Sequence, residues 1–308
     1  MTVGMRGFEE RFGVYFVDIP SQCLHTRSTL GDALEDLRRG SLRVYLNCLA
    51  KVIEQLLCSS TTSSTSFSWR LPRGLYLLEE GSRISSSSTG EKAEKKVVFL
   101  PMKVLDDLSI CEQRAILRAE SRLSSKPTVH QELGKEWWNK RREKYSKLIE
   151  SVLRGRGEVY DRWLEHPIGL AHEDSTMQIN LSGLVDMIFF YSASCGDEYK
   201  PLILLFEFTL HREIGDVATR VTAYSSVIYT KYGFPTIPVI VVMKSINEDI
   251  VEKMVLLMNT NRLGISQISV KMKRLEELLS GNVKPRYAPH EICLWCDTEL
   301  RRRCEHYL

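Results

Sequence analysis

The stretch Pro201–Phe208, PLILLFEF, decides the fold class. It is apolar except for Glu207, and a run of this kind predicts a strand buried on both faces of a sheet. A second run, Thr236–Met243, TIPVIVVM, has the same character, and residues 216–232 between the two runs favour a helix. Upstream, residues 177–190 begin with the alternation of apolar and polar side chains that is typical of a strand. Strand, strand, helix and strand in this order predict an α/β protein with a mixed sheet flanked by helices.

Further elements are predicted on either side of this centre. Sequence patterns favour helices over residues 30–57, from Asp106 through 111–119, and over 129–153, 248–258 and 266–280, with a short strand over 74–79. The helix over 129–153 combines two adjacent tryptophans, Trp137 and Trp138, with a basic face. That face suits a solvated surface and a DNA backbone equally well, so both interpretations stay open.

Composition indicates an ordinary globular chain. Its 308 residues accommodate one large domain or two modest ones, and its hydrophobic share of 43% and charged share of 26% are usual for a soluble protein. The net charge of +3 is too small to indicate nucleic-acid binding by itself. The N-terminus is charged and the longest apolar runs are far shorter than a bilayer requires. We therefore expect a cytoplasmic protein that does not contact a membrane.

Two serine-rich stretches, residues 59–66 and 85–88, interrupt the first hundred residues. Segments of this composition cannot bury apolar surface, so they are predicted to be mobile loops. No motif in this part of the chain identifies a chemistry. We expect residues 1–102 to form an N-terminal α+β accessory region and residues 103–308 to form the main domain.

Two carboxylates stand among apolar strand residues. Glu207 lies inside the run 201–208, and Asp186 lies in the string GLVDMIFF over residues 183–190. A buried carboxylate is costly unless it is paired with a cation or binds a metal. Two acids at the ends of adjacent strands can hold one divalent cation such as Mg²⁺, which activates water and stabilises charge on a phosphate. The alternative is that each acid pairs with a nearby arginine or lysine.

The cysteines cluster at the C-terminus. Of eight, Cys293, Cys296 and Cys304 fall within the last sixteen residues. The C-x₂-C pair allows two thiolates to reach one metal from a tight turn, and the fourth ligand is Cys111, His290 or His306. The spacing alone fits zinc and [4Fe–4S] equally. The other four are expected to be ordinary thiols, because a large chain without a secretory signal does not require a disulfide framework: Cys23, Cys48, Cys58 and Cys195.

These motifs together resemble the RecB-like branch of the PD-(D/E)XK nucleases. That family has Gly-x-x-Asp, then Glu-x-Lys, then Gln-x-x-x-Tyr on the next helix. The matching positions here are Gly183, Asp186, Glu207 and Tyr224. The resemblance implies a restriction-endonuclease-like sheet, with Asp186 and Glu207 as ligands of Mg²⁺ or Mn²⁺, and with Tyr224 and Arg220 beside them in the active site.

Two positions depart from the family pattern. Thr209 stands where the family has a lysine that orients or activates the attacking water, and Arg220 stands where it has glutamine. Threonine cannot supply a positive charge, so His211, Arg212 or Arg220 is the candidate replacement.

The family also has a histidine metal ligand on an upstream helix, after a glycine. In this chain His130 lies before Gly134, and Glu136 follows that glycine. A carboxylate ligates Mg²⁺ as well as an imidazole does, so His130 and Glu136 are both candidates for a further metal ligand. A place on the helix surface is the alternative for each.

A subset of the RecB-like nucleases binds a [4Fe–4S] cluster with one cysteine before the nuclease motifs and three after them. This subset includes the CRISPR-associated exonuclease of the spacer-acquisition machinery. The corresponding residues here are Cys111, Cys293, Cys296 and Cys304. The resemblance covers residues 103–308 and implies a helical C-terminus that carries the cluster and joins the two ends of the domain.

The resemblance implies a Mg²⁺- or Mn²⁺-dependent DNA exonuclease that processes single-stranded ends, with CRISPR integrase proteins as partners. The chain has no G-x-x-x-x-G-K-[ST] phosphate loop, which argues against an ATPase. Two alternatives stay open. One is a catalytically impaired DNA-binding or scaffold subunit of the same fold, motivated by Thr209. The other is a zinc-stapled interaction protein unrelated to nucleases.

Overall fold

The computed structural model describes residues 15–18, 40–59, 75–78, 95–120, 129–174, 177–210, 214–245, 249–258, 260–289, 293, 296 and 298–305. Both serine-rich stretches, apart from Ser59, lie outside these residues. So do several candidate residues of the sequence analysis: Cys23, His211, Arg212, His290 and His306.

One mixed sheet of eight strands organises the described part of the chain. The strands are β1 Tyr15–Asp18, β2 Leu75–Leu77, β3 Lys96–Pro101, β4 Gly157–Glu173, β5 Met177–Cys195, β6 Glu198–Thr209, β7 Thr236–Met243 and β8 Val251–Met258. Their order across the sheet is β1-β8-β7-β6-β5-β4-β2, with β3 pairing to β5. The β3–β5 and β6–β7 pairs are parallel and the other pairs are antiparallel. The predicted α/β class with a mixed sheet flanked by helices is confirmed.

Helices cover both faces of the sheet. They are α1 Leu42–Ser59, α2 Val104–Ile110, α3 Glu112–Glu120, α4 Val129–Arg154, α5 Gly215–Tyr232, α6 Thr260–Leu279 and α7 Thr298–Arg302. The apolar residues of α1 and α4 form one core with one face of the sheet, and those of α2, α3, α5 and α6 form a second core on the other face. None of these helices has the length and apolar character that a bilayer span demands.

The helix predicted over residues 248–258 is wrong, because Val251–Met258 is strand β8. This segment pairs with β7 on one side and with β1 on the other. Short apolar runs do not distinguish a buried helix from a buried strand, and here the antiparallel return after β7 supplies hydrogen bonds that favour the strand. The long strand β4 was not anticipated, since its many polar and half-buried residues lack a clear strand period.

The described parts of residues 1–102 belong to the same sheet and cores as the rest. Strand β1 pairs with β8, β2 pairs with β4 and β3 pairs with β5. Helix α1 buries Leu46, Leu49 and Ile53 in the core that it shares with α4. Strands β1 and β2 therefore extend the main sheet at its two edges.

A disulfide joins Cys58, at the end of α1, to Cys195, at the end of β5. Cys48 of α1 is also disulfide-bonded. The expectation that these three cysteines are ordinary thiols is therefore wrong. Cys58 and Cys195 are 137 residues apart in sequence, and their Cα atoms lie 5.3 Å apart. That distance suits a disulfide, but a contact between such remote residues depends on the packing of α1 on the sheet, which composition does not reveal.

Candidate functional site

A gap in strand pairing marks one edge of β5. Pairing with β3 ends at Ser182, and pairing with β6 begins at Met187. Residues 183–186 therefore lie between the ends of two strands that flank the same edge. The gap brings the last residues of β3 and of β6 to one place on the sheet.

Strand β5 is also kinked at this gap. Val185 belongs to one core and Met187 to the other, although residues two apart in a regular strand share a face. In β4, Leu164 pairs with Met187 and His166 with Val185, so Glu165 lies level with Asp186. Glu165 has φ 51°, in the left-handed region that residues other than glycine rarely adopt. Such backbone strain persists where the surrounding structure enforces it, often at functional sites.

The structure brings Asp186 and Glu207 together at this gap. Met187 pairs with Phe206, so Asp186 and Glu207 are the next residues beyond the end of the ladder. The backbone N–H of Phe208 donates to Asp186 Oδ2 at 2.7 Å. Glu207 is only 6% exposed, and its Oε2 atom is buried without a hydrogen-bond partner among the described residues. A buried carboxylate oxygen without a hydrogen-bond partner is available to coordinate a cation.

The environment disfavours charge on both acids. Burial, followed by the charge of Glu207, raises the pKa of Asp186 well above its usual value. Burial also raises the pKa of Glu207, although the guanidinium of Arg220 opposes this. Two carboxylates held together in this way gain from a cation that neutralises both.

Arg220 of α5 lies between two acids. Its Nη2 donates to Glu207 Oε1 at 2.7 Å, and its backbone N–H donates to Asp106 Oδ1 at 2.8 Å. Its Nε lies 3.7 Å from Asp106 Oδ2. Burial lowers the pKa of Arg220, but the carboxylates of Glu207 and Asp106 raise it above its usual value. The buried side chain of Arg220 is therefore charged, and it interacts with both Glu207 and Asp106.

Asp106 is a member of this site that the sequence analysis missed. It was assigned only to the start of a helix, and the structure places it in α2 with 2% exposure and with Oδ2 buried and unpartnered among the described residues. Burial raises its pKa to about 7, and Arg220 works in the opposite direction. The signal in the sequence was a pair of acids inside the largely apolar segment VLDDLSI.

Tyr224 and Gly183 meet at the same gap. A Cβ atom on Gly183 would lie 2.5 Å from Tyr224 Oη and 2.8 Å from its Cε1. A side chain at this position would therefore require the ring of Tyr224 or the strand to shift. Burial, followed by the charge of Glu207, raises the pKa of Tyr224, so its hydroxyl stays protonated. Four of the sequence-predicted residues, Gly183, Asp186, Glu207 and Tyr224, thus lie around one point, together with Arg220.

Thr209 stands at the position of the lysine in the Glu-x-Lys motif and carries no positive charge. It is buried at the end of β6, opposite Val242 of β7. Of the three cations considered as replacements, Arg220 is the one inside the described part of the chain, and it reaches Glu207.

Of the two upstream candidates on α4, Glu136 does not join the acids. Glu136 is exposed and pairs with Lys140 at 2.5 Å. His130 lies within the helix, but its side chain is outside what the structure describes. The ring of Trp138 lies 5.2 Å from that of Phe208, and both tryptophans are buried.

The basic face of α4 is largely ion-paired. Arg141 and Lys144 pair with Asp249, and Arg142 pairs with Glu165. Charges neutralised in this way on a helix whose tryptophans face the core favour a solvated surface over a DNA interface.

Four thiols line one cavity: Cys111, Cys293, Cys296 and Cys304. Cys111 ends α2, with its N–H donating to Asp107 O at 2.7 Å. The N–H of Cys296 donates to Cys293 O at 3.1 Å, so the two cysteines of the C-x₂-C pair lie close together. Cys304 follows α7. The sequence-predicted set of four cysteines is therefore brought together across the two ends of the domain.

The cavity disfavours the thiolate forms of Cys293 and Cys296. Burial, followed by the charge of Cys111, raises the pKa of Cys293, and burial raises that of Cys296 although Arg114 opposes it. Arg114 and Arg301 also line the cavity, which is partly open to solvent. In the part of the chain that the structure describes, no three His, Cys, Asp or Glu side chains are already gathered as around one metal ion. The donor set itself is that of zinc or an iron–sulfur cluster.

Helix α2 connects the two sites. Asp106 bonds to Arg220 beside the acids, whereas the next residue, Asp107, pairs with Arg114 and Arg118 beside the cysteine cavity. Cys111 follows directly after the helix. A displacement of this short helix would therefore affect both sites.

Comparisons with known proteins add little. No protein-family model matches the chain, and no curated protein matches it. A solved structure described as "Crystal structure of SSO0001" is similar over 70% of this chain and 89% of that chain, with 14% identity and a TM-score of 0.36. A likeness of that size carries no argument about this chain.

Proposed function

We propose that this protein is a metal-dependent nuclease of the RecB-like type, with a restriction-endonuclease-like sheet, that trims single-stranded DNA ends. The observation that carries the proposal is the pair of Asp186 and Glu207 at the open end of the β5–β6 ladder, with Glu207 Oε2 buried and unpartnered among the described residues. Spacer acquisition, alongside CRISPR integrase proteins, is the setting that the sequence resemblance suggests.

The donor set fits a hard divalent cation. Asp186 and Glu207 would hold Mg²⁺ or Mn²⁺ through carboxylate oxygens. The bound cation supplies an activated water and neutralises charge on the phosphate. Arg220 supplies the one permanent cation that contacts Glu207 among the described residues, in place of the lysine absent at Thr209. Tyr224, packed on Gly183, holds α5 against the strand that carries Asp186.

The cysteine cavity fits a [4Fe–4S] cluster. Four cysteine thiols can hold a zinc ion as well as a cluster. The sequence resemblance, with one cysteine before the two acids and three after them, favours the [4Fe–4S] cluster. Cys111, Cys293, Cys296 and Cys304 would hold the cluster, which supplies a structural link between α2 and the C-terminal segment. Stoichiometric zinc and no iron in anaerobically purified protein would support the zinc-stapled alternative instead.

Degradation of end-labelled single-stranded DNA in Mn²⁺ tests the nuclease proposal. The wild type is expected to shorten the labelled strand. Asp186→Asn and Glu207→Gln are each expected to lower the rate of degradation by about 100-fold or more. Glu54→Gln is a matched control, because Glu54 lies on α1 and pairs with Arg156. Degradation that survives both active-site substitutions would belong to a contaminant or to another site.

The scaffold alternative has its own supporting observation. In the structure the guanidinium of Arg220 forms an ion pair with the carboxylate of Glu207, and the buried Thr209 supplies no positive charge. A scaffold binds single-stranded DNA without cleaving it in Mg²⁺ or Mn²⁺. Cleavage gained by Thr209→Lys but absent from the wild type would decide for this alternative.

A further inference from the structure

Asp106 has no role in the family pattern, yet it is built into the site. It lies on α2, which follows β3 in the chain and contacts α5. Both oxygens of its carboxylate face Arg220, one accepting the backbone N–H at 2.8 Å and the other lying 3.7 Å from Nε. A buried acid that serves only the fold would be expected to have both of its oxygens partnered, but Oδ2 has no hydrogen bond among the described residues.

Arg220 creates a problem for metal binding that Asp106 resolves. A guanidinium 2.7 Å from Glu207 Oε1 competes with a divalent cation for the same carboxylate. The competition is weaker when a second acid shares the guanidinium, because part of its charge is then neutralised elsewhere. Asp106 is the described acid, other than Glu207, that contacts Arg220 in this way.

We infer that Asp106 is a positioning residue that shares Arg220 with Glu207 and thereby keeps the Glu207 carboxylate available to a divalent cation. This rests on the proposed metal-dependent function and specifies how the site tolerates an arginine where the family has glutamine. Asp106 acts through Arg220 and does not touch the metal. Its effect must therefore disappear when Arg220 is absent.

A double-mutant cycle on Mn²⁺ affinity tests the inference. The dissociation constant of Mn²⁺ is measured by calorimetry for the full-length wild type, Asp106→Asn, Arg220→Gln and the double variant. Asp106→Asn is expected to weaken Mn²⁺ binding by about tenfold in the wild-type background and by less than about threefold in the Arg220→Gln background. Arg220→Gln alone is expected to tighten Mn²⁺ binding, since the competing cation is gone.

Ser109→Ala is the matched control for docking of α2. Ser109 Oγ shares a hydrogen bond with Thr219 Oγ1 of α5 at 2.9 Å, on the same helix as Asp106. Ser109 Oγ also accepts a hydrogen bond from Lys271 Nζ of α6 at 2.5 Å, so its removal loosens the contacts of α2 with both α5 and α6 without changing the charge on Arg220. We expect Mn²⁺ affinity within about twofold of the wild type.

Three results would overturn the inference. Equal losses from Asp106→Asn in both backgrounds would show that Asp106 acts independently of Arg220, and no loss in either would show that it does not act at all. Weaker Mn²⁺ binding in Arg220→Gln would show that Arg220 supports the metal, and this result holds even if Asp106→Asn does not fold. A wild-type protein that binds no Mn²⁺ would overturn the proposed metal site itself. This outcome depends on the wild-type measurement alone and not on any variant.

Discussion

Gly183 lies where strand β5 passes against the ring of Tyr224, and a single methyl group would disturb that contact. In Gly183→Ala the new Cβ would lie 2.5 Å from Tyr224 Oη, so the ring or the strand must shift. We expect a loss of about 1–3 kcal/mol in the free energy of unfolding, measured in urea, together with slower DNA cleavage.

Gly134→Ala provides the comparison for Gly183→Ala. Gly134 lies in α4 with open space around the position of a Cβ atom. Alanine there should stabilise the helix by up to about 1 kcal/mol. If the two substitutions had the same effect on stability, the close packing of Tyr224 on Gly183 would be refuted.

Asp186 should destabilise the metal-free fold at neutral pH. Its pKa is raised in the folded state, so the native protein holds a proton that the unfolded chain releases as pH rises above the usual carboxylate range. Stability therefore falls as pH rises through that window. We expect Asp186→Asn to raise the thermal midpoint of the metal-free protein at pH 8 but hardly at pH 4. An unchanged thermal midpoint at pH 8 would show that the ionised Asp186 carboxylate does not destabilise the folded protein.

Some residues of the site could be predicted from the sequence and others could not. Asp186 and Glu207 stood out because a carboxylate in an apolar strand requires an explanation. Asp106 did not, since an acid near the start of a helix already has one. Its place beside Arg220 depends on how α2 packs on α5, across 114 residues of sequence.

At the scale of elements, Glu112 joins three segments, two of which, α3 and the segment that includes Ala288, line the cysteine cavity. From the start of α3, it accepts hydrogen bonds from Arg274 of α6 at 2.7 and 2.9 Å. It also accepts the backbone N–H of Arg286 at 2.8 Å, in the segment that leads to the cysteines. Although burial opposes it, these hydrogen bonds lower the pKa of Glu112 to about 2.

Glu112→Gln should therefore destabilise the protein in a pH-dependent way. We expect a loss of about 2–3 kcal/mol at pH 7, a range that allows for the solvent exposure of Arg286. A lowered pKa contributes stability above the usual carboxylate pKa and loses it as pH falls towards 2. The gap between wild type and variant, measured in urea, should narrow from pH 5 to pH 3. Glu277→Gln, which removes a half-exposed partner of Arg274, is the control and should change little.

The disulfide between Cys58 and Cys195 ties α1 to the end of the β5–β6 hairpin. Replacing both cysteines with serine should lower stability by about 2–4 kcal/mol, because the bond closes a long loop in the unfolded chain. The double variant isolates this bond from the disulfide of Cys48, which reductant would also break. Thermal unfolding of the oxidised proteins gives the comparison, and equal midpoints would contradict a stabilising bond.

Elements were predictable where their period was clear. Strands β6 and β7 follow from uninterrupted apolar runs, and α4 and α5 from helical spacing and from Gly233 at the end of α5. Strand β8 was mistaken for a helix because its eight residues satisfy both patterns. Strand β4 escaped notice because its solvent-facing and half-buried positions obscure the alternation.

At the scale of the whole molecule, two sites lie at either end of one short helix. The acids meet where β3 and β6 both end against β5, and the thiols meet where α2 ends against the C-terminal segment. The convergence of the four cysteines could be proposed from the sequence through a resemblance. The position of α2 between the two sites could not, since it arises only from packing of the layers.

The central claim is that Asp186 and Glu207 hold a divalent cation between the ends of β5 and β6. Anomalous scattering from crystals soaked in Mn²⁺ tests it most directly. The account predicts a manganese peak within about 2–2.5 Å of carboxylate oxygens of both residues in the wild type, and its loss in Glu207→Gln. A wild-type map with no manganese between these two carboxylates, while Arg220 remains on Glu207, would contradict the account.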